Sequence, residues 1–135
     1  MSTFGAIGIA GSGMTVYRTW LDAISDNLSN LSTVRSTSEN AFQARYVVAQ
    51  SAGDGTDGQQ GAKVGGIAYG SAEGRLVYEP GHALADADGY VRYPDIDMST
   101  QMTQLIMAQR GYQANAAVVD RARESYQAAL QIGRG

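Results

Sequence analysis

The sequence contains no cysteine and only one histidine, and these absences exclude several kinds of site. Without cysteine the chain can form no disulfide framework, no thiolate metal site and no thiol nucleophile. His82 follows Pro80-Gly81 in a predicted turn, so there is neither a histidine pair for zinc nor a credible catalytic triad. We therefore expect a protein that is not an enzyme, holds no metal or cofactor and acts on no small-molecule substrate.

Positive charge is also scarce in the chain. Ten lysines and arginines stand against thirteen aspartates and glutamates, which gives a formal net charge of −3 and no general attraction to nucleic acid. Residues 1–17 carry no charge, yet they lack the basic start of a signal peptide and are too short and glycine-broken to span a bilayer. We expect no nucleic-acid partner, no cleaved signal peptide and no membrane span.

What the sequence does contain is a repeat of apolar residues near its beginning. One series recurs every seven residues, and a second follows three residues behind it, as at the a and d positions of a coiled coil. The two series are Ile7, Met14, Leu21 and Leu28, then Ala10, Tyr17, Ile24 and Leu31. The pattern predicts a helix from Phe4 to about Leu31.

The same period returns at the other end of the chain. The series consists of Met98, Leu105, Tyr112, Val119 and Tyr126. Asp97 is placed to cap the helix N-terminus, and Gly133 is a natural stop. We expect a second helix from Met98 to about Gly133, which packs with the first as a coiled coil.

The residues between the two ends are rich in glycine and poor in apolar side chains. Alternating or β-branched segments, separated by turn residues, predict short strands in this region. They lie at Phe42–Val48, Val64–Tyr69, Arg75–Glu79 and Tyr90–Tyr93, and a flexible loop is expected from Ser51 to Gly61. The fold class is therefore mainly α with a small β unit, in three segments: 1–33, 34–97 and 98–135.

The start of the first helix is expected to be weak in isolation. Gly5, Gly8, Gly11 and Gly13 each cost about 1 kcal/mol of helix propensity relative to alanine. Small residues also let neighbouring helices approach closely, so we interpret this segment as one that folds when subunits assemble. The alternative is a terminus that is poorly ordered, as many are.

Three asparagines lie within these apolar patterns. Asn27 and Asn30 stand near the end of the first helix, and Asn115 lies in the second. Their amides can bond the backbone or a neighbouring subunit and so fix register, and the alternative is simple exposure to solvent.

The segment Asp86-Ala87-Asp88-Gly89, followed by Asp95, is similar to part of a calcium-binding loop. The first ligand position is occupied by Leu84, which has no oxygen in its side chain, and the last is aspartate rather than glutamate. A β-turn is the favoured interpretation.

Several motifs together resemble one protein family. The segment from Ser12-Gly13-Met14 through Leu21-Asp22-Ala23-Ile24-Ser25-Asp26-Asn27-Leu28-Ser29-Asn30 is similar to the N-terminal motif of the flagellar rod, hook and hook-associated proteins. Arg110-Gly111-Tyr112-Gln113-Ala114-Asn115 resembles their C-terminal motif, and Tyr78-Glu79-Pro80-Gly81-His82 and Asp86 to Pro94 resemble those of a proximal rod member. The chain departs from the family pattern at Ala41-Phe42-Gln43, Ser29 and Leu31.

The resemblance implies a mechanical role in the basal body, with no reaction catalysed. It implies a subunit exported unfolded by the flagellar type III apparatus and assembled in the periplasm into a tube that transmits torque and encloses the export channel. The implied partners are further copies of the chain, the rod proteins FlgB, FlgF and FlgG, and the rod-base adapter FliE with the MS ring protein FliF. The alternative is a non-flagellar coiled-coil adapter protein with a small β head.

In either case the predicted interface lies on the apolar stripes of the two helices and on their asparagines. Its members are Ile7, Met14, Tyr17, Leu21, Ile24, Asn27, Leu28, Asn30, Leu31, Met98, Leu105, Tyr112, Asn115, Val119 and Tyr126.

Overall fold

The computed structural model describes residues 3–53 and 60–135. Two long helices stand at the ends of the chain, and four short strands lie between them in sequence. The elements are α1 (Thr3–Ser29), β1 (Arg45–Ser51), β2 (Ala62–Tyr69), β3 (Arg75–Tyr78), β4 (Tyr90–Tyr93) and α2 (Met98–Gly133). The predicted fold class, mainly α with a small β unit, is confirmed.

The chain divides into two units, and both long helices contribute residues to each. Unit 1 consists of Met1–Leu21, Val47–Gly66 and Ile106–Gly135, and unit 2 consists of Asp22–Tyr46 and Ile67–Leu105. The loop predicted at 51–61 falls in unit 1. Its residues 54–59 lie outside the described part of the chain, and a bond from the Ala52 N–H to the Gly61 C=O flanks them at 2.9 Å.

The first helix ends at Ser29, two residues before the predicted limit at Leu31. Beyond this point the backbone bonds join residues three apart, as in the bond from the Thr33 N–H to the Asn30 C=O. A tighter turn of this kind commonly ends an α-helix. The Asn30 amide also donates to the Asp26 C=O at 2.9 Å, which satisfies a carbonyl of the last turn.

The second helix has the limits that the sequence predicts. It begins at Met98 and ends at Gly133. Asp97 is its N-cap, because one oxygen of this carboxylate accepts both the hydroxyl and the backbone N–H of Thr100, each at 2.7 Å. These two bonds, the hydroxyl first, hold the pKa of the Asp97 carboxyl below its ordinary value.

The strands form two separate pairs, β1 with β2 and β3 with β4. The second pair is antiparallel, with Arg75 opposite Tyr93 and Tyr78 opposite Tyr90. Three of the predicted strands agree with these elements within two residues. The first predicted strand, Phe42–Val48, starts too early, since β1 begins at Arg45.

The alternation that suggested this first strand does not mark a buried face. Ala41 and Ala44 are buried, whereas Tyr46 and Val48 are exposed. The Gly70 N–H donates to the Ala44 C=O and the Ala41 N–H donates to the Ala72 C=O, both at 2.8 Å, so the residues before β1 bond the chain that directly follows β2. The small alanines fit the interior and the larger residues of β1 remain outside it.

The core of unit 2 gathers residues from every part of that unit. Its buried members include Ile24, Ala41, Ala44, Val91, Pro94 and Ile96. The backbone of Arg92 pairs with that of Arg35, and its guanidinium donates to the carbonyls of Thr37 and Glu73. Arg92 thereby ties two connecting segments to β4.

Candidate assembly surfaces

Within unit 1 the two helices pack side by side in opposite directions. The ring of Phe4 meets the ring of Tyr126 edge to face at 5.2 Å. Further along α1, Gly13 lies against the Asn115 amide and the ring of Tyr17 lies against Gly111. Because residues later in α1 meet residues earlier in α2, the pair is antiparallel.

The packing of the two helices explains why the motif at residues 110–115 has a glycine, Gly111. A Cβ placed on Gly111 would overlap the ring of Tyr17, so any larger residue would force the two helices or the ring to move. Tyr17 is therefore a packing residue inside unit 1, and its ring also stacks near Trp20 at 6.1 Å.

The inward face of α1 is rotated from the predicted a and d stripe. The most buried residues of the helix are Ala10, Val16, Ala23, Ile24 and Asn27. Ala10 and Ile24 belong to the predicted d series, but the a series is only half-buried, and so are Tyr17 and Leu31. The half-buried a series consists of Ile7, Met14, Leu21 and Leu28.

The face of α2 shows the same difference. Leu105, Tyr112, Asn115 and Val119 are half-buried, whereas Met98 and Tyr126 are exposed. The two most buried residues of this helix are Gln101 and Ala108. The predicted interface includes neither of them, although Ala108 flanks the predicted stripe and both belong to a second series with a period of seven. Its members are Gln101, Ala108, Asn115, Ala122 and Ala129. Their side chains are small or polar, so they do not stand out in the sequence as an apolar stripe.

Asn27 lies in the core of unit 2 and bonds three groups there. Its amide nitrogen donates to the side-chain oxygen of Gln101 and to the Arg45 C=O, both at 3.0 Å, and its oxygen accepts the Arg45 N–H at 2.8 Å. The side chain is 1% exposed and that of Gln101 is 2% exposed. The amide thus joins α1, the start of β1 and α2 inside the chain, and its role in fixing register stays a prediction.

The other two asparagines make shorter-range bonds. The Asn30 oxygen accepts the hydroxyl of Thr33 at 3.1 Å, and the Asn115 amide donates to the Gly111 C=O at 3.0 Å. Both side chains are half-buried.

The glycine-rich start of α1 is helical from Thr3 onward. A Cβ added at Gly8 or Gly11 would meet no atom within 4 Å, so these glycines leave open space beside the helix. Ser12 anchors the segment, because its hydroxyl donates to the Ile9 C=O and accepts the Ala62 N–H at 3.0 Å. The expectation that this segment folds on assembly stays a prediction.

The aspartate cluster at 86–89 forms a turn. One oxygen of Asp86 accepts the N–H groups of Asp88 and Tyr90, at 3.0 and 2.9 Å, and the other accepts the Thr37 hydroxyl at 2.9 Å. The bond from Tyr90, above all, lowers the pKa of the Asp86 carboxyl. Gly89 closes the turn with a φ of 85°, which favours glycine.

Among the described residues, no group of three or more histidine, cysteine, aspartate or glutamate side chains is arranged to hold a metal ion. In the same ranges, neither helix combines the length and the apolar character that crossing a membrane requires.

Comparison with known proteins decides the family. The family model described as flagellar basal body rod FlgEFG protein C-terminal matches residues 87–132. The flagellar basal-body rod protein FlgC of Yersinia enterocolitica is 34% identical over 134 residues, which cover 99% of this chain and all of that protein. The chain belongs to the FlgC family of flagellar basal-body rod proteins.

Similarity to FlgC extends to distant bacteria. The FlgC protein of Salmonella typhimurium is 34% identical over 136 residues, and that of Bacillus subtilis is 29% identical over 151 residues, each over 99% of this chain and all of the relative. The resemblance read from the sequence motifs is confirmed, and the adapter alternative is not favoured.

Proposed function

We propose that the chain is a structural subunit of the proximal rod of the bacterial flagellum, with no catalytic activity. The observation that carries this proposal is the full-length similarity to FlgC proteins, which covers both helices and the strands between them. The apolar rows that α1 and α2 leave half-buried or exposed are suited to the packing of further helices.

The same geometry supports an arrangement for assembly. In this proposal 1–33 and 98–135 form the axial core of the rod, and 34–97 forms a middle region on it. The half-buried a series of α1, from Ile7 to Leu28, and the exposed Met98 and Tyr126 of α2 complete their burial against neighbouring subunits. Many small contacts of this kind together resist the shear of a rotating shaft.

The partners in this proposal are other copies of the chain, FlgB, FlgF, FlgG, FliE and FliF. The subunit reaches the periplasm through the flagellar type III export apparatus without a cleaved signal peptide. The assembled tube transmits torque and leaves a central channel for export.

The proposal is tested by deleting the gene in its native host and restoring it with wild type or single variants. Leu21→Asp and Leu105→Asp each place a charge on a half-buried apolar row, at a cost of several kcal/mol once neighbours cover it. Ser25→Asp, on an exposed position of α1, is the matched control.

We expect the deletion strain to lack rods and motility, and only wild type and the Ser25 variant to restore them. Circular dichroism of each purified variant separates loss of folding from loss of assembly. Wild-type motility in both leucine variants would contradict the helix-row assignment, and intact rods in the deletion strain would contradict the rod function itself.

A further inference from the structure

The C-terminal part of α2 has an exposed face that lies away from α1 in unit 1. Successive residues turn by about 100° in a helix, which places positions 114, 117, 118, 121, 125 and 128 on one side. We call this the arginine face, because its members are Ala114, Ala117, Val118, Arg121, Ser125 and Ala128, all of them exposed.

The arginine face combines small side chains with positive charge. Within the described residues the one ion pair joins Arg45 to Asp26, so Arg121 has no carboxylate partner there. Residues 106–135 carry four arginines against one aspartate and one glutamate. The surface can therefore accept a bulky, acidic partner.

Unit 2 carries a surface with the opposite properties. We call β3, β4 and residues 79–89 between them the tyrosine ribbon. Tyr78 and Tyr90 face each other across the two strands with ring centroids 5.3 Å apart, and they are 62% and 39% exposed. Leu76 and Leu84 are exposed as well.

The tyrosine ribbon has an arginine near each end, Arg75 and Arg92, and carries only negative charge between Leu76 and Val91. This stretch contains Glu79, Asp86 and Asp88 and neither lysine nor arginine. Unit 2 as a whole has nine acidic and four basic residues, a net charge of −5, whereas unit 1 has four acidic and six basic, a net charge of +2. Two copies of unit 2 repel each other, and unit 1 of one copy attracts unit 2 of another.

We propose that the arginine face of one copy docks on the tyrosine ribbon of a second copy. The tyrosine rings lie against the small residues of the helix, and Arg121 approaches the rings and the carboxylate of Asp88. Because the two surfaces differ, the contact is heterologous and can repeat from copy to copy, in a ring or in an open helical filament. This inference rests on the proposed rod function and assigns two of the contacting surfaces.

Because the chain contains no cysteine, cysteines introduced by substitution are its only thiols, and the contact can be tested by disulfide cross-linking of the full-length chain. Two differently tagged copies are mixed, one with Ser125→Cys on the arginine face and one with Ala87→Cys on the ribbon, and the disulfide-linked heterodimer is measured under mild oxidation. Gln127→Cys replaces Ser125→Cys as the control, because position 127 is exposed on the other side of α2.

We expect cross-linking of position 125 with 87, and much less of 127 with 87 or of either position with itself. Adding Arg121→Glu to one copy lowers the yield about tenfold, since like charges then meet at the contact. Adding Asp88→Lys to the other copy restores it, and high salt weakens the wild-type contact.

Equal yields at positions 125 and 127 would overturn the proposal, as would no rescue by the charge swap. Motility separates this proposal from the rod function. Intact rods and normal swimming in the Arg121→Glu strain would reject the docking surface and leave the rod function standing.

Discussion

Replacing Asn27 by alanine should destabilise unit 2 more than any other single amide removal in the described chain. The substitution leaves the buried oxygen of Gln101 and both backbone groups of Arg45 without their partner. An unsatisfied buried polar group costs about 1–3 kcal/mol, and the Arg45 groups are partly reached by water. We expect a loss of about 3–4 kcal/mol in the free energy of unfolding.

Gln101→Leu is the matched comparison at the other end of the same bond. It removes one of the three bonds and leaves one amide hydrogen of Asn27 unpaired, so we expect a loss of about 1–2 kcal/mol. Ser25→Ala, on the exposed side of α1, should remain within about 0.5 kcal/mol of wild type.

The assay is guanidinium unfolding followed by far-ultraviolet circular dichroism, with the free energy taken from the linear dependence on denaturant. An Asn27→Ala variant as stable as Ser25→Ala would contradict the expected loss. So would a Gln101→Leu variant that loses more stability than Asn27→Ala.

Three further predictions concern the helices. Gly111→Ala should lower the free energy of unfolding by about 1–3 kcal/mol, because the new Cβ overlaps the ring of Tyr17, and an unchanged denaturation midpoint would contradict this. Gly8→Ala should raise the free energy of unfolding by up to about 1 kcal/mol, because alanine favours the helix and its Cβ meets open space. A lower free energy of unfolding for this variant, measured on the isolated chain, would contradict this expectation. The pKa of the Asp97 carboxyl is lowered in the folded chain, so its cap stabilises the fold above the ordinary aspartate pKa, and this contribution is lost as the pH falls through the lower, folded-state value. The difference in the free energy of unfolding between pH 7 and pH 2.5 should therefore be smaller in Asp97→Asn than in wild type.

The limits of the helices follow largely from local signals in the sequence. Asp97 and Gly133 mark the ends of α2 because capping depends on residues within one turn. The turn at Gly89 follows in the same way from the residues around it. These features need no knowledge of distant parts of the chain.

The orientation of each helix depends on contacts that apolar periodicity does not encode. The sequence predicted the a and d residues as the seam, but of these α1 buries only Ala10 and Ile24, and the chain also buries Ala23, Asn27, Gln101 and Ala108. Small and polar residues occupy these positions because the helices approach closely and because one amide pair is fully satisfied inside. The large apolar residues at the edges are the ones left for other subunits in our proposal.

Electron cryo-microscopy of basal bodies isolated from the native host would show whether this chain builds the rod. We predict density in the proximal rod that fits α1, α2 and the two strand pairs, with the half-buried rows of both helices covered by neighbouring subunits. A complete proximal rod whose density is fully accounted for by other proteins would contradict it.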